Sequence, residues 1–241
     1  MEMQRSDEIP TVSANLIDRL PLWISLRANQ LQKGDIMKLL PTTLMVTGAA
    51  FALSGCAALG VLTQAQDFAD VKDQVDNLTT TTTMPTSGSG VYDGNAVIGA
   101  DYGANDNVVL LGDAELTATF TNTGGTLVGT LDNFSGLVLT DTQRTQVENG
   151  NVPDDIIRAA KNASGTVAIS SGTIAGSAVA ANSSGTIRMD GSDYVVSGDL
   201  IGEFRGTNAA AVQMTEGATF NMTRDGANPT TGSTIEVDAV K

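Results

Sequence analysis

The 241-residue chain has no histidine, one cysteine (Cys56) and one tryptophan (Trp23), and aromatic residues make up 4% of it. The lack of histidine removes the commonest general base, the commonest pH switch near neutrality and the commonest zinc or haem ligand. With a single thiol, no disulfide can form within one chain. No Ser-His-Asp, Cys-His or Cys/His metal arrangement can be assembled either. Chemistry would have to rest on carboxylates alone, so the expectation is a protein that is not an enzyme, with no catalytic, cofactor-binding or metal residue. Positive charge is also scarce. From Cys56 onward there are 8 Lys and Arg against 22 Asp and Glu, a balance of −14, whereas the segment before it has five of each. A surface so acidic repels phosphate backbones, so no nucleic-acid partner is expected.

What the chain does have is one uncharged run. Lys38 is followed by Leu39 to Gly55 without a charge, and the run ends Leu53-Ser54-Gly55-Cys56. Its apolar part has the length of a signal h-region and is short for a membrane-spanning helix, which needs roughly 20 apolar residues. A short transmembrane anchor or a buried helix is the competing reading, but neither explains an ending in small residues and the sole cysteine. The stretch resembles the lipobox of a bacterial lipoprotein precursor. The resemblance implies recognition by a signal peptidase at Leu53, Ser54 and Gly55 and lipid attachment at Cys56. It also implies partnership with a membrane through acyl chains. One chain would bind marginally, at about 0.8 kcal/mol per buried CH₂, and two or three durably. Ala57 after the cysteine implies, by that family's sorting habit, the outer membrane.

Met37-Lys38-Leu39 begins the usual signal layout, so residues 37–55 form the expected signal peptide. Lys33-Gly34-Asp35 can be encoded by a sequence like a bacterial ribosome-binding site. The expectation is that translation starts at Met37 and that residues 1–36 are an over-extended reading frame. The alternative is a real extension with a short helix near Leu16 to Gln30.

Residues 56–90 read as a spacer. Val61, Ala65, Phe68, Val75 and Leu78 recur at helical spacing, with Asp67, Asp70, Asp73 and Asp76 elsewhere. Such a helix either lies against the membrane or the next domain, or is a weakly stable tether. Thr79 to Gly90 is low in complexity and reads as a flexible linker, with a reach of about 20 Å.

From residue 91 to 241 the texture is that of short strands. Leu116, Ala118 and Phe120 alternate with Thr117, Thr119 and Thr121, the two-residue period of a sheet with one wet face. Other runs are Asn95–Gly99, Thr126–Leu131, Gly165–Ile169, Thr173–Val179, Thr186–Met189, Tyr194–Phe204, Ala218–Thr223 and Ser233–Val237. Asn122-Thr123-Gly124-Gly125 and Asp190-Gly191 supply turns. One short helix is expected between Val152 and Asn162, with Pro153, Asp154 and Asp155 at its start. The fold class is therefore all-β, a small antiparallel barrel or sandwich with one short helix.

Two paired segments carry a resemblance. Gly112-Asp113-Ala114-Glu115-Leu116-Thr117-Ala118-Thr119-Phe120 is followed by Gly125-Thr126-Leu127-Val128-Gly129-Thr130-Leu131-Asp132-Asn133-Phe134. Together they resemble the strands that open the C-terminal β-barrel of transferrin-binding protein B-like lipoproteins. Val196 to Ala209 resembles a later element of that barrel, although Arg205 and Thr207 stand where an aromatic and a proline are usual. The resemblance implies an eight-stranded barrel on a lipid anchor, binding an unknown protein partner or ligand through its loops. A structural envelope protein serving as spacer or scaffold is the alternative.

Other candidates carry simpler roles. Asp154 and Asp155, adjacent on one helix, do not face a common pocket. Asp93, Asn95, Asp101, Asp106 and Asn107 could offer oxygens to calcium but lack its regular loop spacing and suit turns. Tyr92, Tyr102 and Tyr194 suit packing rather than haem ligation.

Overall fold

The computed structural model describes residues 52–148 and 152–241. Residues 1–51, which hold the upstream extension and nearly all of the expected signal peptide, lie outside them. The described chain is a closed eight-stranded antiparallel β-barrel with a long helix strapped across its outside. The helix α1 runs Ala52–Asp76, and the strands begin with β1 (Gly88–Asp101), β2 (Asn107–Thr121) and β3 (Gly124–Leu139). Two short helices follow, α2 (Asp141–Glu148) and α3 (Asp154–Arg158). The wall continues with β4 (Lys161–Ala175), β5 (Ala178–Met189), β6 (Ser192–Arg205), β7 (Ala211–Glu216), β8 (Asn221–Arg224) and β9 (Ser233–Val240).

The ring closes in the order β1-β2-β3-β4-β5-β6-β7-β9 and back to β1. β7 and β8 share one place in it. β7 pairs with the Leu200–Arg205 half of β6, and β8 with the Tyr194–Ser197 half. Closure removes nearly all of the free strand edges that would otherwise template aggregation, leaving β8, paired only with β6, as the short exception.

Alternation puts one parity of every strand inside. Leu116, Ala118 and Phe120 of β2 point inward together with Leu127, Leu131, Val167, Ile169, Ile187, Val196, Leu200, Phe204, Val212, Met214 and Val237. The interior is filled with side chains. Burying each Val, Leu, Ile or Phe contributes about 1.5–3 kcal/mol, so this column is the main source of stability. Gly112 is where the wall bulges, and a Cβ there would come within 2.6 Å of the Phe134 ring. Its absence lets Phe134 fill the core. Asp190 and Gly191 both take positive φ (51° and 87°) in the β5–β6 turn, as a tight hairpin requires.

The two ends of the barrel are plugged differently. At one end Arg224 grips Asp106 through two bonds of 2.7 and 2.6 Å, and its guanidinium lies 4.4 Å above the centre of the Tyr102 ring. At the other, Tyr92, Phe120 and Phe204 pack tilted or edge-on at 5.6–5.7 Å, and the Lys241 ammonium sits over the Tyr92 and Phe120 rings.

Four sequence expectations change. Thr173–Val179 is not one strand: the chain turns at Gly176 and Ser177, with Gly176 at φ 60°. Helix α2 adds to the single helix expected between Val152 and Asn162, which narrows to α3, with Lys161 and Asn162 opening β4. β7 was unforeseen, and Ala218–Thr223 shrinks to β8, starting at Asn221. The Thr79–Gly90 linker is no free tether. The Thr81 amide donates to the Phe204 carbonyl (2.9 Å) and the Gly206 amide to the Thr79 carbonyl (2.8 Å). β1 already begins at Gly88. Backbone hydrogen bonds to the end of β6 hold a segment that has too few apolar side chains to order itself.

Candidate functional site

Helix α1 carries the expected lipid site. Leu53, Ser54, Gly55 and Cys56 all fall in its first two turns. The segment is rich in alanine and free of proline, which favours helix. Val61, Gln64, Phe68 and Val75 form its buried face. They recur at three, four and seven residues, the stripe of a helix lying on one surface. Val61 and Phe68 pack with Val97 of β1, Leu111 of β2 and Leu137 and Leu139 of β3, flanked by Ile156 of α3. The helix thus docks on the barrel rather than standing off it.

Polar groups fix where each turn of α1 sits. Over β3, the Gln64 amide donates to the Asn133 carbonyl and its oxygen accepts from the Ser135 hydroxyl. Over β9, the Lys72 ammonium binds Glu236 at 2.6 Å. At its C-terminal end, Asp76 accepts from Gln213 of β7 at 3.2 Å and lies 4.0 Å from Arg205 of β6. An aspartate in a last turn opposes the helix dipole. Lys72, 3.0 Å away, and Arg205 offset it. Asn77 then closes the helix, its side chain donating to the Asp73 carbonyl at 2.7 Å.

Beneath this helix, on the outer face of β9, lies Asp238, fully buried. Burial, and the neighbouring Glu236 carboxylate, push its carboxyl up to about 7, against weaker pulls from Lys72 and the Gln213 amide. Nothing in the sequence marks it. Asp238 reads as one more polar residue on an alternating strand, and the element that covers it lies more than 160 residues earlier.

The weighed candidates disperse. Asp154 is almost fully exposed and faces Arg158 at 3.7 Å along α3. Asp101 accepts from the Gly103 amide at 2.8 Å, and Asp106 accepts from Arg224, so both shape the β1–β2 turn and barrel end. The Arg224 bond holds the Asp106 carboxyl below the usual carboxylate range. Asn107 donates to the Leu139 carbonyl and to Asp141, and Asn95 to Asp113. Asp93 faces outward on β1. Among the described residues, no group of three or more His, Cys, Asp or Glu side chains converges as metal ligands would. The Tyr92 hydroxyl donates to the Ala209 carbonyl (2.7 Å) and the Tyr102 hydroxyl to the Met222 carbonyl (2.8 Å). Burial pushes Tyr92 up to about 12 and raises Tyr102 and Tyr194 as well. These phenols stay protonated and structural.

An open groove of about 510 Å³ runs over β4–β7, floored by Thr173, Ala178, Ala180, Ile201 and Thr215, with Glu203 as its one acid. Glu203 is engaged by Arg205 at 3.1 Å and by the Thr80 hydroxyl at 2.9 Å. Among the described residues, no helix is long and apolar enough to cross a membrane. No known protein family, no curated protein and no solved structure matches the chain.

Proposed function

We propose that the chain is an outer-membrane lipoprotein, held by acyl chains on Cys56, that displays a non-catalytic β-barrel to bind a protein or ligand. The observation that carries it is the uncharged run ending in Leu53-Ser54-Gly55 and the sole cysteine, joined without a free linker to a docked helix. The thiol would displace the phosphate headgroup from the diacylglyceryl carbon of a phospholipid, forming a thioether as the headgroup leaves with the thiol proton, and hydrolysis of the Gly55–Cys56 bond would free the Cys56 amine for a further acyl chain. Cleavage there would trim about one turn from α1 and leave Gln64, the first residue of the helix hydrogen-bonded to the barrel wall, about 12 Å along the helix from the lipid. The barrel then sits close to the bilayer surface, on the side of β3. The likeness of the β2–β3 and β6 segments to transferrin-binding protein B-like lipoproteins points the same way.

With its interior filled, such a barrel has no room for a small ligand inside. Recognition falls to its loops and outer wall. The acidic balance suits a basic partner or simply a soluble surface. The filled barrel and docked helix equally suit a spacer or scaffold in the envelope. Pull-down from solubilised membranes separates the two: a stoichiometric soluble or secreted protein supports binding, and a neighbouring envelope protein supports scaffolding.

The anchor is tested by expressing the full chain and its Cys56→Ser variant in a Gram-negative host. The unaltered chain should fractionate with the outer membrane, with acyl mass on its N-terminal cysteine. Cys56→Ser should be soluble or remain as precursor. An unmodified sulfur, or a mature Cys56→Ser protein retained in washed membranes, overturns the assignment.

A further inference from the structure

The seat of α1 holds an unbalanced set of charges. Asp238 is fully buried, and neither of its carboxyl oxygens has a hydrogen-bond donor. It stands between Asn95 of β1 and Gln213 of β7 in the ladder. Asn95 bonds Asp113 and Gln213 bonds Asp76, so the Gln213 amide exerts only a minor downward pull on the Asp238 carboxyl. The charged groups that face it are Lys72 and Asp76 from α1 and Glu236 from its own strand. Lys72 is the only cation among them, and its ammonium is bound to Glu236 and Asp76. One lysine therefore serves three carboxyls, and the one left over is the most buried. A buried carboxylate without donors or a dedicated counter-ion is costly, and the inexpensive state of such a group is the neutral one.

We propose that α1 is a releasable strap, seated on the barrel by the neutral form of Asp238 and loosened when that carboxyl ionises. Lifting α1 would return Asp238 to water on the outer wall, where it ionises as an ordinary aspartate near 4. The docked state holds its proton up to about 7. Docking therefore binds more protons than release across that interval. It is strongest below about pH 4, weakens as pH rises towards 7, and levels off above. Lys72 keeps its charge throughout, so it tempers the effect without cancelling it. The absence of histidine makes the response legible, because histidine is the side chain whose ordinary acidity falls between pH 5 and 8. Release would uncover Val97, Leu111, Leu137 and Leu139 while leaving the closed ring intact. The device is a property of helix and barrel and holds whether or not Cys56 carries lipid.

The test is amide hydrogen exchange on the full chain at pH 5 and pH 8, corrected for the intrinsic pH dependence of exchange. Protection of α1 amides between Ala65 and Val75 should fall about tenfold or more from pH 5 to pH 8, while β2 amides stay constant. In Asp238→Asn, which keeps shape and removes the titration, the fall should vanish. In Lys72→Met, which removes the tempering cation, it should grow. Equal α1 protection at both pH values in the unaltered chain overturns the proposal, as does a fall that persists in Asp238→Asn. If Asp238→Asn loses β2 protection and so fails to fold, Lys72→Met decides, and a fall no larger than in the unaltered chain overturns it.

Discussion

The two halves of the barrel wall are written differently. On β5, burial alternates strictly, and Ala178, Ala180, Asn182, Ser184 and Thr186 face water between inward residues. On β1, every residue from Asn95 to Ala100 is buried. The cause is α1. Where it lies on the wall, both faces of a strand are covered and both parities turn apolar: Ala96 and Ile98 face inward and Val97 outward. The same doubling marks Val108 to Leu111 on β2, with Val109 half-buried, and Phe134 to Leu137 on β3. A continuous apolar run within a barrel strand is thus the footprint of an external helix.

Substitutions test that difference. The largest effect should come from the shared core. Phe204→Ala empties a fully buried site packed against Tyr92 and Phe120, and should cost about 3–5 kcal/mol in urea unfolding. Next comes a matched pair. Val97→Asp puts a charge under α1, and should cost about 3 kcal/mol or more and strip α1 of its exchange protection. Val195→Asp places the same charge on the uncovered half, where Val195 is 42% exposed, and should change stability by about 0.5 kcal/mol or less. Equal costs at the two sites would mean that α1 does not cover β1 in solution. The smallest effect concerns the plugged end. Asp106→Asn weakens the grip on Arg224 and should cost about 1 kcal/mol at pH 7. Because the pair lowers the Asp106 carboxyl, its contribution is present above the ordinary carboxylate range and is lost as pH falls through the folded value. The gap between variant and unaltered protein should therefore close below about pH 4.

This contrast also explains what was legible in sequence. β2 could be read because Leu116, Ala118 and Phe120 alternate with threonines that face water. The β5–β6 hairpin could be read because Asp190-Gly191 demands positive φ. Thr173–Val179 looks like one strand in sequence because the apolar residues on either side of Gly176 read as continuous, and a single glycine decides between a strand and a turn. Helix α2 carries its start signal in the sequence. Thr140 and Gln143 form a capping box, with the Gln143 amide donating to the Thr140 hydroxyl (3.1 Å) and the Thr140 amide to the Gln143 side-chain oxygen (3.0 Å). The docking of α1 was half legible, since its stripe was visible and its partner was not. Which strand face receives a helix depends on pairings such as Lys72 with Glu236, which no local pattern encodes.

One feature of the wall bears on how the molecule breathes. Where β7 hands over to β8, the main-chain ladder towards β9 gives way to side chains. The Ile235 amide donates to the Glu216 carboxylate at 3.2 Å, and the Met222 amide to the Ser233 hydroxyl at 2.8 Å. Such bonds can swap to solvent one at a time, without unzipping neighbours. The barrel therefore has its least zippered seam between residues 216 and 221, where amide exchange should reveal the first opening of the wall.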